Sequence, residues 1–358
     1  MNIVKNQTWA IVTLLFLIFS VPVFAQPEAQ PAEKTGVTTL LFQSEDPLPI
    51  RMRYSNKNIK KETNDSTYID QTISYQNADG QWDSLNLQMR ARGNWRRENC
   101  FLTPVKFKIK KAQRENTLFE GNKELKMVLP CRNSDQGQDY VLKEYMAYKL
   151  YELISPYHFK TRRLAIEFTD AKGKKEKQYQ LEGFLIEDIS NVAERNNARR
   201  LKRFVHPQQQ DDISCLQNDF FQFLIGNTDY SVAYQHNEKL LFVEGMSAIP
   251  VPYDFDMCGL VDASYAVVSQ VQGETLPNTD VTQRVYRGFK RDPGLYEQVR
   301  QEYISKKGEF LAEVDGMKGS FRSEKQFETA RNYVMDFFEV LEDPSRFNRE
   351  IVSAARTK

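Results

Sequence analysis

The chain carries the sequence FFQFLIGNTD at residues 220–229, in which an apolar helical pattern stops at Gly226 and polar residues follow at once. Glycine ends helices readily because it adopts backbone conformations that other residues avoid. The sequence KLLFV at residues 239–243 is typical of a strand, and IPVPYDFD at residues 249–256 is an extended segment that runs into two acidic residues. This order predicts a helix, a polar loop, a hairpin and an acidic loop, with the two loop tips facing one polar cleft.

The polar residues of these loops are of the types that phosphate transfer requires. Moving a phosphoryl group needs an aligned acceptor and cations that neutralise the phosphates, but little covalent chemistry from the protein. Asp229 is a candidate to orient an acceptor hydroxyl or to accept its proton. Asn237 and Asp254 offer the hard oxygens that Mg²⁺ and Mn²⁺ prefer, and Asp256 is a further candidate ligand. These residues predict a metal-dependent phosphotransfer site.

The composition of the chain is that of a globular protein. Of its 358 residues, 41% are hydrophobic, and 49 basic residues balance 48 acidic ones to give a formal net charge of +1. Proteins that bind nucleic acids usually carry a basic excess, so this balance does not support nucleic-acid binding.

The first 25 residues predict a cleaved secretory signal peptide, with Lys5 before an apolar run at residues 10–21 and a small-residue cleavage site at Ala25. An uncleaved anchor is the alternative, but the run falls short of the ~20 residues that a span needs. Residues 26–36 are rich in Pro, Gln, Ala and Glu, which predicts a disordered tether. No later segment is apolar enough to span a bilayer. We therefore expect an exported protein that is periplasmic, cell-surface or secreted.

The rest of the chain divides into a strand-rich part and a helical part. Short alternating runs, with one helix at residues 140–153, are typical of an antiparallel sheet. The predicted strands are residues 38–42, 50–54, 68–75, 85–92, 105–109, 125–129 and 164–169. The clearest later helices are residues 211–225, 293–310 and 323–341.

Five motifs in one order resemble the spore coat protein H (CotH) kinase family. Besides the two loops, they are Arg92-Gly93-Asn94 with the basic strand after it, the helix at residues 143–150, and the strand at residues 182–188. The resemblance spans residues 90–260. It implies an α+β, protein-kinase-like two-lobed fold. Residues 37–188 would form an antiparallel, β-rich N-lobe with one helix, and residues 189–358 a mainly helical C-lobe with the catalytic and metal-binding loops.

The resemblance also implies residues that bind nucleotide phosphates. Arg92 and the backbone beside it would contact phosphate, since the chain has no Gly-rich phosphate loop of kinase type. Lys106 would be the phosphate lysine, with Lys108 and Lys126 as alternatives. Glu144 would pair with that lysine, as in kinases.

The cofactors and partners follow from the same resemblance. Glu187 would border the base of the nucleotide. ATP with Mg²⁺ or Mn²⁺ would be the cofactors, and an unidentified protein with an acceptor hydroxyl would be the substrate. The implied activity is an exported, CotH-like atypical protein kinase that transfers the terminal phosphate of the nucleotide to that hydroxyl.

Two departures from the kinase pattern leave alternatives open. The metal-binding Asn of an ordinary kinase lies five residues after the catalytic Asp, where this chain has Tyr234, and the first Asn is Asn237. The usual Asp-Phe-Gly is replaced by Asp254-Phe255-Asp256. A catalytically inactive pseudokinase that acts as a binding or assembly module is therefore the main alternative, and a metal-dependent phosphodiesterase is a third.

Four cysteines in an exported chain permit disulfides in three pairings. Cys100 and Cys131 flank the basic strand and the strand after it, so they could meet across a sheet. Cys215 and Cys258 are expected to be buried thiols. A zinc site is the alternative, but the chain has no Cys-x-x-Cys and its three histidines are scattered.

A run of basic residues follows the strand at residues 182–188. It comprises Arg195, Arg199, Arg200, Lys202 and Arg203. Such a run could bind an acidic protein or a sulfated glycan, or it could be a solvated face.

Overall fold

The computed structural model describes residue 1 and residues 36–93, 95–172, 175–269 and 276–357. The predicted signal peptide and nearly all of the predicted tether lie outside these residues, as does Asn94 of the predicted phosphate-binding turn. Residues Thr35–Lys358 form one compact unit.

Ten strands form two sheets within the described residues. They are β1 Leu48–Tyr54, β2 Ile69–Gln76, β3 Trp82–Ala91, β4 Val105–Lys108, β5 Glu124–Val128, β6 Thr161–Lys172, β7 Lys175–Ile186, β8 Ala198–Leu201, β9 Glu238–Val243 and β10 Ala248–Pro252.

The first seven strands close into a barrel in the order β1-β2-β3-β4-β5-β7-β6. Neighbouring strands are antiparallel except β1 and β6, which pair in parallel from Leu48 opposite Leu164 to Tyr54 opposite Asp170. Successive side chains of a strand point to opposite faces, so alternate residues share one face. One such set forms the apolar core of the barrel, with Ile50, Met52, Leu85, Leu87, Met89, Phe107, Leu125, Ile166 and Phe168 among its members.

The remaining three strands form a small antiparallel sheet in the order β10-β9-β8. Ten α-helices occur in the described residues. They are α1 Asn56–Glu62, α2 Trp95–Asn99, α3 Lys111–Arg114, α4 Asp135–Glu152, α5 Ile189–Arg195, α6 Asp212–Leu224, α7 Pro293–Ser305, α8 Lys307–Gly316, α9 Glu324–Glu342 and α10 Pro344–Phe347, which continues into a π-helix at Asn348–Val352.

A second apolar core lies among the helices and the small sheet. Residues of α4, α6, α7 and α9 share it, including Tyr151, Phe220, Tyr303 and Phe337. Nearly every residue of α4 from Gly137 to Tyr151 is buried, because helices and β7 pack around it.

The expected two-lobed, protein-kinase-like fold is wrong. The predicted antiparallel N-lobe sheet is instead a closed seven-stranded barrel, because β1 pairs with β6 as well as with β2. The helix expected to belong to that lobe, α4, packs into the core of the later helices. The predicted strand at residues 38–42 is also wrong, since Leu40–Phe42 is a 3₁₀ helix. The division of the chain at residue 188 stays a prediction.

None of the helices in the described residues is both long enough and apolar enough to cross a membrane.

Cys100 and Cys131 form a disulfide, whereas Cys215 and Cys258 are buried free thiols, as expected. The disulfide joins residues 31 apart in the sequence, at the two ends of the segment that holds β4 and β5. Such a crosslink limits the freedom of the unfolded chain.

We expect Cys100→Ser/Cys131→Ser to lower the free energy of unfolding by ~3–4 kcal/mol, because the freed loop gains conformational entropy when unfolded. Urea denaturation of the two proteins measures the difference. Cys215→Ala, which removes a buried thiol but no crosslink, is the matched control. Equal losses in the two variants would mean that the crosslink contributes nothing.

Candidate functional site

The first loop of the site begins at Gly226, just beyond the end of α6 at Leu224. This glycine has a φ of 62°, in the left-handed region that favours glycine. The turn is closed by the Asn227 N–H, which donates to the carbonyl of Gln222 over 2.8 Å. A side chain at Gly226 would also collide with the hydroxyl of Tyr333. The predicted end of this helix is therefore confirmed, and it fixes the direction in which the chain leaves α6.

Asp229 is held by contacts on both sides of the loop. Its N–H donates to Oδ1 of Asn227 over 2.9 Å, an Asx turn. The buried guanidinium of Arg287 donates to the carbonyls of Thr228 and Tyr230, the two neighbours of Asp229 in the chain. The backbone around Asp229 is thus fixed before any ligand binds.

The carboxylate of Asp229 is about one-third exposed, with its side chain at 30%. Ser269 donates a hydrogen bond to Oδ1 over 3.1 Å, and Nε2 of His236 lies 3.6 Å from the same oxygen. This contact raises the pKa of His236. The carboxylate therefore faces both the polar loop and solvent, as a group that meets a substrate must.

Asn237 is tied directly to Asp229. Its Nδ2 donates to the carbonyl of Asp229 over 2.7 Å and to Oδ2 over 3.1 Å. Asn237 has a φ of 55°, a conformation that costs energy for a residue other than glycine. The loop between Asp229 and Asn237 is closed by two backbone hydrogen bonds between Ser231 and His236. Although Asn237 lies farther from Asp229 in the sequence than the corresponding Asn of an ordinary kinase, its amide therefore still contacts Asp229.

The second loop is anchored to the first. The N–H of Gly259 donates to the carbonyl of Gly226 over 3.1 Å, and the N–H of Tyr253 donates to the carbonyl of Asn237 over 3.0 Å. Phe255 is fully buried, with its ring centroid 4.6 Å from that of Tyr148. Burying the aromatic residue between the two aspartates holds this loop in place.

Asp254 has a φ of 68°, and its N–H donates to the hydroxyl of Tyr148 over 3.0 Å. Left-handed backbone in a residue other than glycine needs support from its surroundings, and such positions cluster at functional sites. Here the support comes from α4, which carries Tyr148, and from the hairpin before it.

Both loops line one cleft of about 610 Å³ between the barrel and the small sheet. Its walls include acidic residues and a set of cations. The acidic and amide residues are Asp229, Gln235, Asn237, Asp254 and Asp256, and the basic residues are Arg92, Arg96, Lys126, His236 and Lys239. The prediction that the two loop tips face one polar cleft is confirmed.

Three carboxylates meet at one end of this cleft. Glu144, Asp254 and Asp256 each have an oxygen within 4.8 Å of the others. Burial raises the pKa of Glu144 and of Asp256, and each is raised further by the charge of the neighbouring aspartates. Oε1 of Glu144 is buried and has no hydrogen-bond partner in the described residues. A divalent cation would supply the charge and the contact that this cluster is short of.

Two arginines neutralise part of this acidic charge. Arg96 is buried, with Nη1 3.2 Å from Oε2 of Glu144 and Nε 3.5 Å from Oδ2 of Asp256. Nη2 of Arg92 lies 3.6 Å from Oδ1 of Asp254. Glu144 therefore pairs with an arginine, where the resemblance implied a lysine.

Of the three candidate phosphate lysines, Lys106, Lys108 and Lys126, the one that lines the cleft is Lys126. Its amine lies 4.3 Å from the centroid of the Tyr253 ring, and the amine of Lys239 lies 4.8 Å from the same centroid. Burial, followed by the charge of Arg92, lowers the pKa of Lys126 to about 7. Lys106 is directly opposite Lys126 in the sheet, but its amine pairs with Glu124 over 2.5 Å.

Two of the expected site residues do not line the cleft. Lys106 forms the ion pair with Glu124 just described. Glu187 is buried, accepts a hydrogen bond from the N–H of Lys160 over 2.7 Å and pairs with Arg195. The other expected residues, Arg92, Glu144, Asp229, Asn237, Asp254 and Asp256, either line the cleft or belong to the carboxylate cluster at its end.

Arg96 and Lys239 line the cleft but could not be identified as site residues from the sequence. Arg96 lies beside Arg97 in a short basic stretch, and nothing in that stretch marks one guanidinium as buried. Lys239 begins a run that is otherwise apolar, a pattern equally typical of an exposed strand end. Tyr253, the aromatic residue before Asp254, also lines the cleft, and the amines of Lys126 and Lys239 both lie close to its ring.

The sequence matches no model of a known protein family and no curated protein. The resemblance to the CotH kinase family stays a prediction that depends on the five motifs.

Proposed function

We propose that the protein is an exported, metal-dependent phosphotransferase that moves the terminal phosphate of ATP to a hydroxyl group of a protein. The observation that carries the proposal is the make-up of the cleft, which is lined by several cations and has a carboxylate cluster at one end. A nucleoside triphosphate with its metal ion needs both cations and carboxylates. The cations offset the phosphate charge, and the carboxylates hold the metal.

The carboxylate cluster fits a divalent metal on its own chemistry. Its donors are hard oxygens, and one of them, Oε1 of Glu144, is buried without a partner in the described residues. Asp254 and Asp256 would hold the ion with Glu144, and the side-chain oxygen of Asn237 is a further donor at the edge of the cleft. The bound ion would supply positive charge to the phosphates and lower the energy of the charge that develops during transfer.

Asp229 is the residue that would act on the acceptor. Its carboxylate is accessible and is held by Asn237 and Ser269. It would orient the acceptor hydroxyl and take its proton as the hydroxyl oxygen bonds to the terminal phosphorus. The bond from that phosphorus to the bridging oxygen breaks, and the electron pair leaves with the nucleoside diphosphate.

Arg92, Lys126 and Lys239, which line the same cleft, would contact the phosphates. Arginine binds phosphate through two parallel hydrogen bonds, and lysine acts as a point charge. Lys126 takes the place of Lys106 in this proposal, because Lys106 is paired with Glu124.

Export agrees with the disulfide between Cys100 and Cys131, since disulfides persist mainly in oxidising compartments outside the cytoplasm. The disulfide thus supports the proposal that the protein is periplasmic, cell-surface or secreted.

We expect the affinity for ATP to fall as the pH rises through about 7, the pKa of Lys126. The amine is cationic below this pKa and neutral above it, and a neutral amine attracts phosphate less. Bound phosphate favours the cationic form, so the change lies at a higher pH in the complex. Titration calorimetry across this range measures the affinity. Lys126→Met should lose this dependence and Lys106→Met, the matched control, should keep it. The same dependence in both variants would contradict the role of Lys126.

A binding or assembly module without catalysis is the second candidate. The ion pairs of Arg92 with Asp254 and of Arg96 with Asp256 favour it, because a cleft whose carboxylates are neutralised by arginines needs no metal.

Asp254→Asn separates the two candidates at the level of binding. The proposed enzyme should show a rise in melting temperature with ATP and Mg²⁺ or Mn²⁺ together, and the variant should lose that rise while its fold stays intact. A scaffold that binds no nucleotide should show no rise in either protein. Asp79→Asn, in an exposed turn of the barrel, is the matched control.

A further inference from the structure

The strand at the edge of the small sheet is strongly basic. β8 carries Arg199 and Arg200, and Lys202 and Arg203 follow it directly. All four side chains are exposed. None of them forms an ion pair with an acidic side chain of the described part of the chain. A patch of four uncompensated positive charges attracts anionic partners.

The backbone of β8 is free to pair on one side. β8 hydrogen-bonds with β9, and no strand within the described ranges pairs with its other edge. Such an edge presents unpaired N–H and C=O groups that can add an extended peptide as a new strand. Phe204, which is 58% exposed, lies three residues beyond the end of β8 and offers an apolar contact.

The register of the small sheet brings the C-terminal end of β8 near the end of β9 that borders the cleft. Leu201, the last residue of β8, lies opposite Leu240, and β9 begins two residues earlier at Glu238. Asn237, which precedes Glu238, lines the cleft. A peptide paired with β8 would thus have one end near the proposed acceptor position.

We propose that the free edge of β8 docks an extended, acidic segment of the acceptor protein, an inference that rests on the proposed phosphotransfer and names its substrate class. Strand pairing fixes the peptide backbone, and the four cations select acidic side chains. A second copy of the chain is a poor partner, because its own β8 carries the same charges. A sulfated glycan has no backbone groups to pair with the edge.

The test is the binding of a fluorescent peptide of alternating Glu and Val with one Ser, measured by anisotropy without nucleotide. We expect Arg199→Glu/Arg200→Glu to weaken binding by about tenfold or more, since reversing two charges turns attraction into repulsion. Lys57→Glu/Lys61→Glu on α1 makes the same change in charge at exposed sites elsewhere and should leave binding unchanged. A copy of the peptide that is N-methylated at alternate residues should bind weakly to the unmodified protein.

Equal binding by both charge-reversed variants would overturn the proposal. Equal binding of the N-methylated and the unmodified peptide would also overturn the proposal. Charge alone would then account for the affinity, as it would for heparin. Phosphotransfer to an acceptor without acidic residues separates this inference from the proposed function. If Arg199→Glu/Arg200→Glu transfers phosphate at the normal rate to the acceptor without acidic residues, but no longer to the acidic acceptor, the docking site is supported. If no protein transfers phosphate at all, the proposed function fails and the acidic segment is not its substrate.

Discussion

We expect Asp229→Asn to lower the rate of phosphate transfer by about 10²–10⁴-fold, the usual contribution of a positioned general base. Asparagine keeps the shape of the side chain, its one amide oxygen can still accept the hydrogen bond from Asn237, and the hydroxyl of Ser269 can turn to accept from its NH2 group. It cannot take the proton of the acceptor hydroxyl. The measurement is the initial rate of label transfer from gamma-labelled ATP to a generic protein acceptor.

Nucleotide binding is the internal control for this variant. Asp229 is not part of the carboxylate cluster formed by Glu144, Asp254 and Asp256, so the rise in melting temperature with ATP and metal should persist. A rate within about threefold of the normal rate would remove Asp229 from the chemistry, since such a loss is far below that expected of a general base. Loss of nucleotide binding as well would mean that Asp229 belongs to the metal site.

We expect Arg96→Met to lower the free energy of unfolding by ~3–5 kcal/mol near neutral pH, because it leaves buried carboxylates without their cation. Arg96 lies 3.2 Å from Glu144 and 3.5 Å from Asp256, both of which are buried. The pKa values of these carboxyls are already raised by burial, and they should rise further in the variant. The folded variant then binds protons that the unfolded chain has released, and this proton binding stabilises the folded state. The loss in the free energy of unfolding, relative to the unmodified protein, should therefore shrink as the pH falls toward about 5.

Two further measurements make this prediction specific to the cluster. Mn²⁺ should stabilise Arg96→Met more than it stabilises the unmodified protein, since the ion replaces the lost charge. Adding Glu144→Gln should recover part of the loss, because one uncompensated charge is removed. Arg331→Met, which breaks a pair with Asp315 on the surface, is the matched control and should change stability little. A loss of stability in Arg96→Met as small as that in Arg331→Met would mean that Arg96 does not stabilise the buried carboxylates.

Local structure could be predicted well wherever the residue pattern itself sets it. The helix of residues 211–225 is confirmed as α6, with Asp211 as its N-cap and Gly226 just beyond its end. The predicted helix at residues 293–310 is instead two helices, α7 and α8, which meet at Lys306. The apolar pattern continues through this break, so the periodicity does not show it.

The barrel could not be predicted because its closure depends on a distant pairing. β1 and β6 align in parallel over more than a hundred residues of sequence separation, from Leu48 opposite Leu164 onwards. Alternation shows that each strand has one buried face, but it does not show which strand lies beside it. The motifs that resemble a kinase implied a two-lobed fold with an antiparallel, β-rich N-lobe, and that expectation was wrong.

The site shows the same division between local and distant information. The two acidic loops could be placed together because Gly226, the hairpin and Asp254 follow each other closely. The lysine that binds phosphate could not be assigned, since Lys106 and Lys126 lie on adjacent strands with similar surroundings in sequence. The tertiary structure distinguishes them, because Lys106 pairs with Glu124 and Lys126 lies beside Tyr253 in the cleft. Arg96 was missed for the same reason, because its partner Glu144 lies 48 residues away.

The most direct test of the central claim is to incubate the chain from Gln26 onwards with gamma-labelled ATP, Mg²⁺ or Mn²⁺, and a generic protein acceptor. We expect label on acceptor hydroxyls that requires the metal and is lost in Asp229→Asn and Asp254→Asn. No label on the acceptor, together with no metal-dependent effect of ATP on the melting temperature, would contradict the central claim and leave the cleft as part of a binding scaffold.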